Sequence, residues 1–285
     1  MRAGRSGTAA IHRLPRTGLI VLYLFSAAAL LGYATFGRHP GLLAGVPGAA
    51  AVYPLAFGFF SQAQIWLAGI VLALLLTLHA GTRWLGAFAA LYLISLGSEL
   101  LGTTVGLPFG EYRYSEALGP RWFGHVPVVI PVSWFFMAVP AFALARLLRP
   151  AGVWGRVLAG SLILLVWDLA LDPAMSAATA YWIWAEPGAY YGMPWLNLFG
   201  WYVTGVALMA ALAASGARRW IDPLPVRWLA AYYGANLLLP LGMIAAAGMW
   251  GAVAATGAVV GLLAWVAGVR LRGEASVPET AGVLA

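Results

Sequence analysis

Eight stretches of this chain stay apolar for long enough to cross a bilayer, near residues 18–36, 62–80, 84–105, 127–148, 157–175, 197–217, 228–248 and 250–269. A helix rises about 1.5 Å per residue, so about 20 such residues cover a hydrocarbon layer of roughly 30 Å. The pattern predicts an all-α fold: a polytopic membrane bundle of about eight transmembrane helices in a single domain over 1–272. The domain opens on a basic stretch, 1–17, and a polar tail follows over 273–285. The segment 42–60 is apolar too, but Gly45, Pro47, Gly48, Pro54 and Gly58 punctuate it. It is expected to be re-entrant or interfacial, with its backbone satisfied by protein or water, and a ninth span is the alternative.

Composition removes the soluble alternatives. The 285 residues are 62% hydrophobic and 9% charged, against roughly 25% charged in soluble domains. The net charge of +7 comes from arginine alone, because the chain has no lysine. With the N-terminus in the cytoplasm, that side receives Arg2, Arg5, Arg13, Arg16, Arg83, Arg146, Arg149, Arg156, Arg218, Arg219, Arg227, Arg270 and Arg272. Only Arg38, Arg113 and Arg121 fall outside. Basic residues concentrate in cytoplasmic loops, so both termini are expected there, in a multi-pass protein of the bacterial cell membrane. A ninth span at 42–60 would invert every later loop and the bias with it. The charge is thus topological and does not point to nucleic acid. The run 18–36 is too long for a signal-peptide core and reads as an uncleaved first helix.

The absence of cysteine excludes disulfides, thiolate nucleophiles and iron–sulfur clusters. His12, His39, His79 and His125 stand at no metal-ligand spacing, so no metal is expected. No phosphate-binding loop or nucleophile elbow is present, which removes nucleotide-driven and hydrolase chemistry.

Of nine acidic residues, Glu99, Glu111, Glu116, Asp168, Asp172 and Glu186 lie between 99 and 186. Carboxyls kept inside a membrane are functional candidates unless they are paired. Asp168 and Asp172, four residues apart, share one face of the fifth helix, and two carboxyls so close disfavour double ionisation. One is expected to hold a proton and to serve as an acid; the alternative is a purely interhelical hydrogen bond. Glu99 sits among small residues that admit a partner backbone and carries the same two readings. The outer loop Gly106-Leu-Pro-Phe-Gly-Glu-Tyr-Arg-Tyr114, with Glu111 and Tyr112, reads as a structured lid. A second outer loop holds Tyr181, Trp182, Trp184, Tyr190, Tyr191 and Trp195, an aromatic belt or the wall of a cavity that stabilises a cation. Asn197 caps a helix or orients a water, Asn236 satisfies a kink ahead of Pro240, and His125 is a weaker candidate near the acidic set.

The lid string, with Val126-Pro-Val-Val-Ile-Pro-Val-Ser-Trp134, Trp167-Asp-Leu-Ala-Leu-Asp-Pro173 and Tyr190-Tyr-Gly-Met-Pro-Trp-Leu-Asn-Leu-Phe-Gly-Trp201, resembles the membrane carotenoid biosynthesis proteins that include the carotenoid 1′,2′-hydratases. Those act on γ-carotene or bisanhydrobacterioruberin, and the resemblance covers roughly 95–205. It implies a hydro-lyase without cofactor that adds water to the terminal C1′=C2′ bond of an acyclic carotenoid held in the bilayer, in contact with membrane lipid. Association with other enzymes of the carotenoid pathway is a further implication. In that chemistry Asp168 and Asp172 supply the proton, with Glu99 or Glu111 as secondary candidates. Trp167, Tyr190, Tyr191 and Trp201 shield the cation, Tyr112 contributes from the lid, and Asn197 holds the water. Two alternatives stay open: a carotene cyclase with the same first protonation, and a non-catalytic carotenoid- or lipid-binding or transport protein. Clustering of the acidic groups in one region favours an enzyme over a transporter.

Overall fold

A computed structural model describes residues 3–275; the expected polar tail lies almost wholly beyond them. Among the described residues nine α-helices follow one another: α1 (Ala3–Gly32), α2 (Ala49–Ala80), α3 (Trp84–Val105), α4 (Val129–Ala145), α5 (Gly152–Asp172), α6 (Trp195–Ala214), the short α7 (Arg218–Ile221), α8 (Val226–Ala246) and α9 (Trp250–Ala275). Eight are long and apolar enough to cross a membrane, and their positions follow the apolar runs of the sequence.

Burial sorts the bundle into a centre and a periphery. The α4 span is 83% buried, whereas those of α1 and α9 are 17% buried. The sequence accounts for this, since α4 is apolar on every face and can be surrounded by protein, as helices hydrophobic all round are. The neighbours α3, α5 and α8 pack around it, and α6 packs on α5 and α3.

The segment 42–60 differs from the expectation of a separate re-entrant element. Residues 49–60 form the first turns of α2, and only Pro40–Leu43 makes a separate short turn ahead of it. Gly45, Pro47 and Gly48 fall in that connection, with Gly48 at φ +78°, so the punctuation marks the start of α2 rather than a break within it. The extension is covered by the loop after α3, where Ser61 Oγ and Gln62 Nε2 donate to the Ala117 carbonyl at 3.3 and 3.1 Å. It is covered also by Tyr181, whose ring stacks on Phe57 at 4.7 Å.

Two long connections meet at one end of the bundle. β1 (Tyr112–Tyr114), after α3, pairs antiparallel with β4 (Trp182–Trp184), after α5, setting Tyr112 opposite Trp184 and Tyr114 opposite Trp182. A smaller pair, β2 (Arg121–Trp122) and β3 (Val126–Pro127), closes the first loop.

The other end is tied by arginine. The buried Arg156 forms a two-pronged bond to Asp222 at 2.6 and 3.1 Å, with its guanidinium 4.1 Å from the Phe142 ring. Arg146 donates to the Asp222 and Leu224 carbonyls. Burial alone would raise the Asp222 carboxyl, but the bonds and charge of Arg156, with the charges of Arg146 and Arg218, outweigh it and hold the group below the usual carboxylate range.

Candidate active site

Beneath the β1–β4 pair lies a cavity of about 380 Å³, walled by α1, α2, α3, α4, α5, α6, α8 and the two strands. Side chains alternate across a strand, so Tyr112 and Tyr114 turn inward while Arg113 is exposed. The same period turns Trp182 and Trp184 to the cavity and Ile183 away.

The inward side chains converge on two membrane-embedded carboxyls. Glu99, buried on α3, accepts from the Tyr112 hydroxyl, from the Tyr114 hydroxyl at 2.7 Å and from the Trp134 indole at 2.8 Å. Asp172, at the end of α5, accepts from the Trp182 indole at 3.0 Å, the Trp184 indole at 3.2 Å and the Ser176 hydroxyl at 2.8 Å. Each strand of the pair is thus bonded to a different carboxyl, and the pairing between strands holds the two carboxyls in one frame. Burial, then the charge of Glu99, pushes the Tyr112 and Tyr114 phenols well above their ordinary range, which keeps both hydroxyls protonated as donors.

One turn back on α5, Asp168 is completely buried behind the cavity wall. Asn197 Nδ2 lies 2.8 Å from Asp168 Oδ2 and 3.5 Å from Asp172 Oδ2, bridging the two aspartates, and 2.9 Å from Met193 Sδ. Asp168 Oδ1 has no hydrogen-bond partner. A buried acceptor without a partner costs about 1–3 kcal/mol and calls for an explanation.

The remaining wall is aromatic. Trp201 stacks on Trp134 at 4.1 Å, and Trp167 meets Trp201 edge-on at 6.0 Å while its indole donates to the Asn236 carbonyl. This packing requires glycine at two positions. A Cβ at Gly102 would lie 2.8 Å from the Phe109 ring, and one at Gly200 would lie 2.8 Å from the Pro108 carbonyl oxygen. Among the described residues no arginine or histidine lines the cavity.

Residues 60–263 match a family described as carotenoid biosynthesis protein. The chain belongs to that family. It is 36% identical over 189 residues to the bisanhydrobacterioruberin hydratase of Haloarcula japonica, a match covering 65% of this chain and 60% of the relative's length. The aligned part is therefore less than two thirds of the curated relative. No solved structure matches the chain.

In this carotenoid biosynthesis protein, six of the residues singled out from sequence line one cavity: Glu99, Tyr112, Trp167, Asp172, Asn197 and Trp201. Asp168 stands behind them and reaches the cavity through Asn197. Three others stand apart. Glu111 is exposed, one residue out of phase with the inward face of β1, and its carbonyl accepts from Ala185. Tyr190 donates to the Leu169 carbonyl, its ring packed on Tyr191 and Trp195. The tight turn that bridges Gly188 to Gly192 and Tyr190 to Met193 carries the tyrosine pair away from the cavity. Burial, with Tyr191 next, pushes the Tyr190 phenol up to about 12. His125 is exposed in the turn between β2 and β3. Sequence reasoning offered Trp182 and Trp184 as belt or cavity wall and gave Tyr114, Trp134 and Ser176 no role of their own; all five donate to the carboxyls. The Tyr-Arg-Tyr and Trp-Ile-Trp alternation was the available signal for three of them.

Proposed function

We propose that the protein hydrates the terminal C1′=C2′ double bond of an acyclic carotenoid, the end group lying in the cavity and the reaction starting with proton transfer from the Asp168–Asp172 pair. The observation that carries this reading is the meeting of carboxyls with stacked indoles in one enclosed, largely apolar space: Asp172 and Glu99 face the cavity, and Trp134, Trp167 and Trp201 form its wall. The family match and the relative's name support the substrate class.

Protonation of an alkene needs an acid held against the double bond, and the tertiary cation it leaves is stabilised by aromatic faces, worth about 2 kcal/mol or more each when desolvated. Asp172 lines the cavity and hands its proton to C2′. Asp168, coupled through Asn197 and with one oxygen unpartnered, is the reserve from which Asp172 is reprotonated. Water then bonds to C1′ and gives up a proton to Glu99, which the hydroxyls of Tyr112 and Tyr114 hold, and return of that proton from Glu99 to the Asp168–Asp172 pair restores the acid for the next turnover. The sum is alkene plus water to tertiary alcohol, with no electron transfer.

A cyclase would use the same first step and quench the cation by ring closure. Expression in a carotene-accumulating bacterium with mass spectrometry of the pigments separates the two. The hydratase reading expects a product heavier by one water, and a product of unchanged mass with a ring at its end would replace it with the cyclase reading.

A further inference from the structure

The cavity of about 380 Å³ is at the small end of the roughly 300–1,000 Å³ of pockets for drug-sized ligands, which suits the end of a carotenoid and not its length. The rest of the chain must leave somewhere. Of the residues lining the cavity, nearly all are buried or half-buried, and the two exposed ones, Ala28 and Phe36, both lie on the C-terminal half of α1 and its continuation. Opposite them Tyr53 and Phe57 of α2 line the same edge. The flanking surface is apolar, with Leu31 67% and Leu55 74% exposed, so the edge opens sideways to acyl chains rather than to water. Small residues hold it open: Ala28, Ala29 and Gly32 line one face of α1, and a Cβ added at Gly32 would meet nothing within 4 Å.

We infer that the substrate enters end-first through this lateral opening between α1 and α2, and that the protein recognises only the terminal isoprenoid units while the remainder of the polyene stays in the bilayer. The inference rests on the proposed hydration of a terminal double bond and adds the class of substrate: any chain with the acyclic end group, whatever its length. A site that enclosed the whole chain would gauge it, since one methylene in a fitted pocket changes the rate about 10–200-fold. A chain that is left in lipid contacts hydrocarbon before and after binding, so its length drops out of the comparison.

The test uses the full-length protein in liposomes with acyclic polyenes of three lengths and one shared end group. The expected rates of hydration agree within about threefold, where a length-gauging site would separate them by tens of fold or more. A second readout does not depend on turnover. Polyenes with a photoreactive diazirine at the terminal unit are expected to label the inner wall around Trp134 and Trp201. The same label placed well inside the chain is expected on α1, α2 or lipid. Gly32→Phe, at a helical position with φ −60° and open space before it, is expected to abolish inner-wall labelling. Gly257→Phe on α9, where an added Cβ also meets nothing, leaves labelling unchanged. Mid-chain label on the inner wall, inner-wall labelling that survives Gly32→Phe, or rates that change steeply with length would each overturn the inference. Labelling as expected without hydration would support end-first entry and overturn the hydratase reading instead.

Discussion

At the scale of single residues, hydrogen bonding divides the acidic groups by role. Glu99 collects three donors and Asp172 four, whereas Asp168 receives one and leaves Oδ1 alone. Glu111 is exposed and outside the cavity, and Glu111→Gln should alter hydration by less than about twofold, as surface substitutions away from a site do; steady-state rates of the purified protein check it. Trp201→Leu removes the face that stacks on Trp134. If that face shields a cation, the rate should fall about 30-fold, equivalent to about 2 kcal/mol, with the helical circular dichroism unchanged. The residues that the sequence made legible were those whose chemistry is unusual for a membrane: carboxyls and an asparagine in apolar runs. Their partners were harder to see, because Trp182 and Tyr114 belong to different loops and meet only when β1 pairs with β4.

At the scale of elements, the two-stranded lid joins α3 to α5 through its tyrosines and indoles. A hydrogen bond to a charged group contributes about 1.5–3 kcal/mol. Tyr112→Phe and Tyr114→Phe should therefore each loosen the lid by an amount in that range, and the double variant by less than their sum, because both hydroxyls share one Glu99 oxygen. Hydrogen exchange of the 111–115 and 181–185 backbone amides in detergent reads this directly; unaltered protection in the double variant would dismiss the lid bonds. The apolar runs foretold α3, α4, α5, α6, α8 and α9 to within six residues at either end, since length and hydropathy alone decide what crosses a bilayer, and gave no sign of the short α7. They misjudged 42–60, where glycines and prolines resembled an interruption. Whether such residues break a helix or precede it depends on what covers the next turns, here Ala117 and Tyr181 from loops distant in sequence.

At the scale of the whole molecule, chemistry sits at one end of the bundle and the arginine clamp at the other. Asp222 has its carboxyl held below the usual range by Arg156, so the clamp's contribution is complete above about pH 4 and fades as pH falls through the lowered value. Asp222→Asn leaves the buried Arg156 with half its partnership. The cost should be about 2 kcal/mol, below the roughly 3–5 of a fully buried pair, because the Asp222 side chain is 35% exposed. Thermal unfolding in detergent at neutral pH is expected to show the loss, and the gap between variant and wild type is expected to shrink below about pH 4.

The account as a whole stands on the α5 aspartates as the source of the proton. The most direct test expresses the wild type, Asp168→Asn and Asp172→Asn in a carotene-accumulating bacterium at matched membrane levels and weighs the pigments. Asparagine keeps the size of each side chain and an acceptor oxygen but carries no acidic proton. The account predicts hydrated carotenoid with the wild type, a loss of about 100-fold or more with Asp172→Asn, the usual range for a general acid, and a smaller but clear loss with Asp168→Asn. Full hydration by both variants would contradict it.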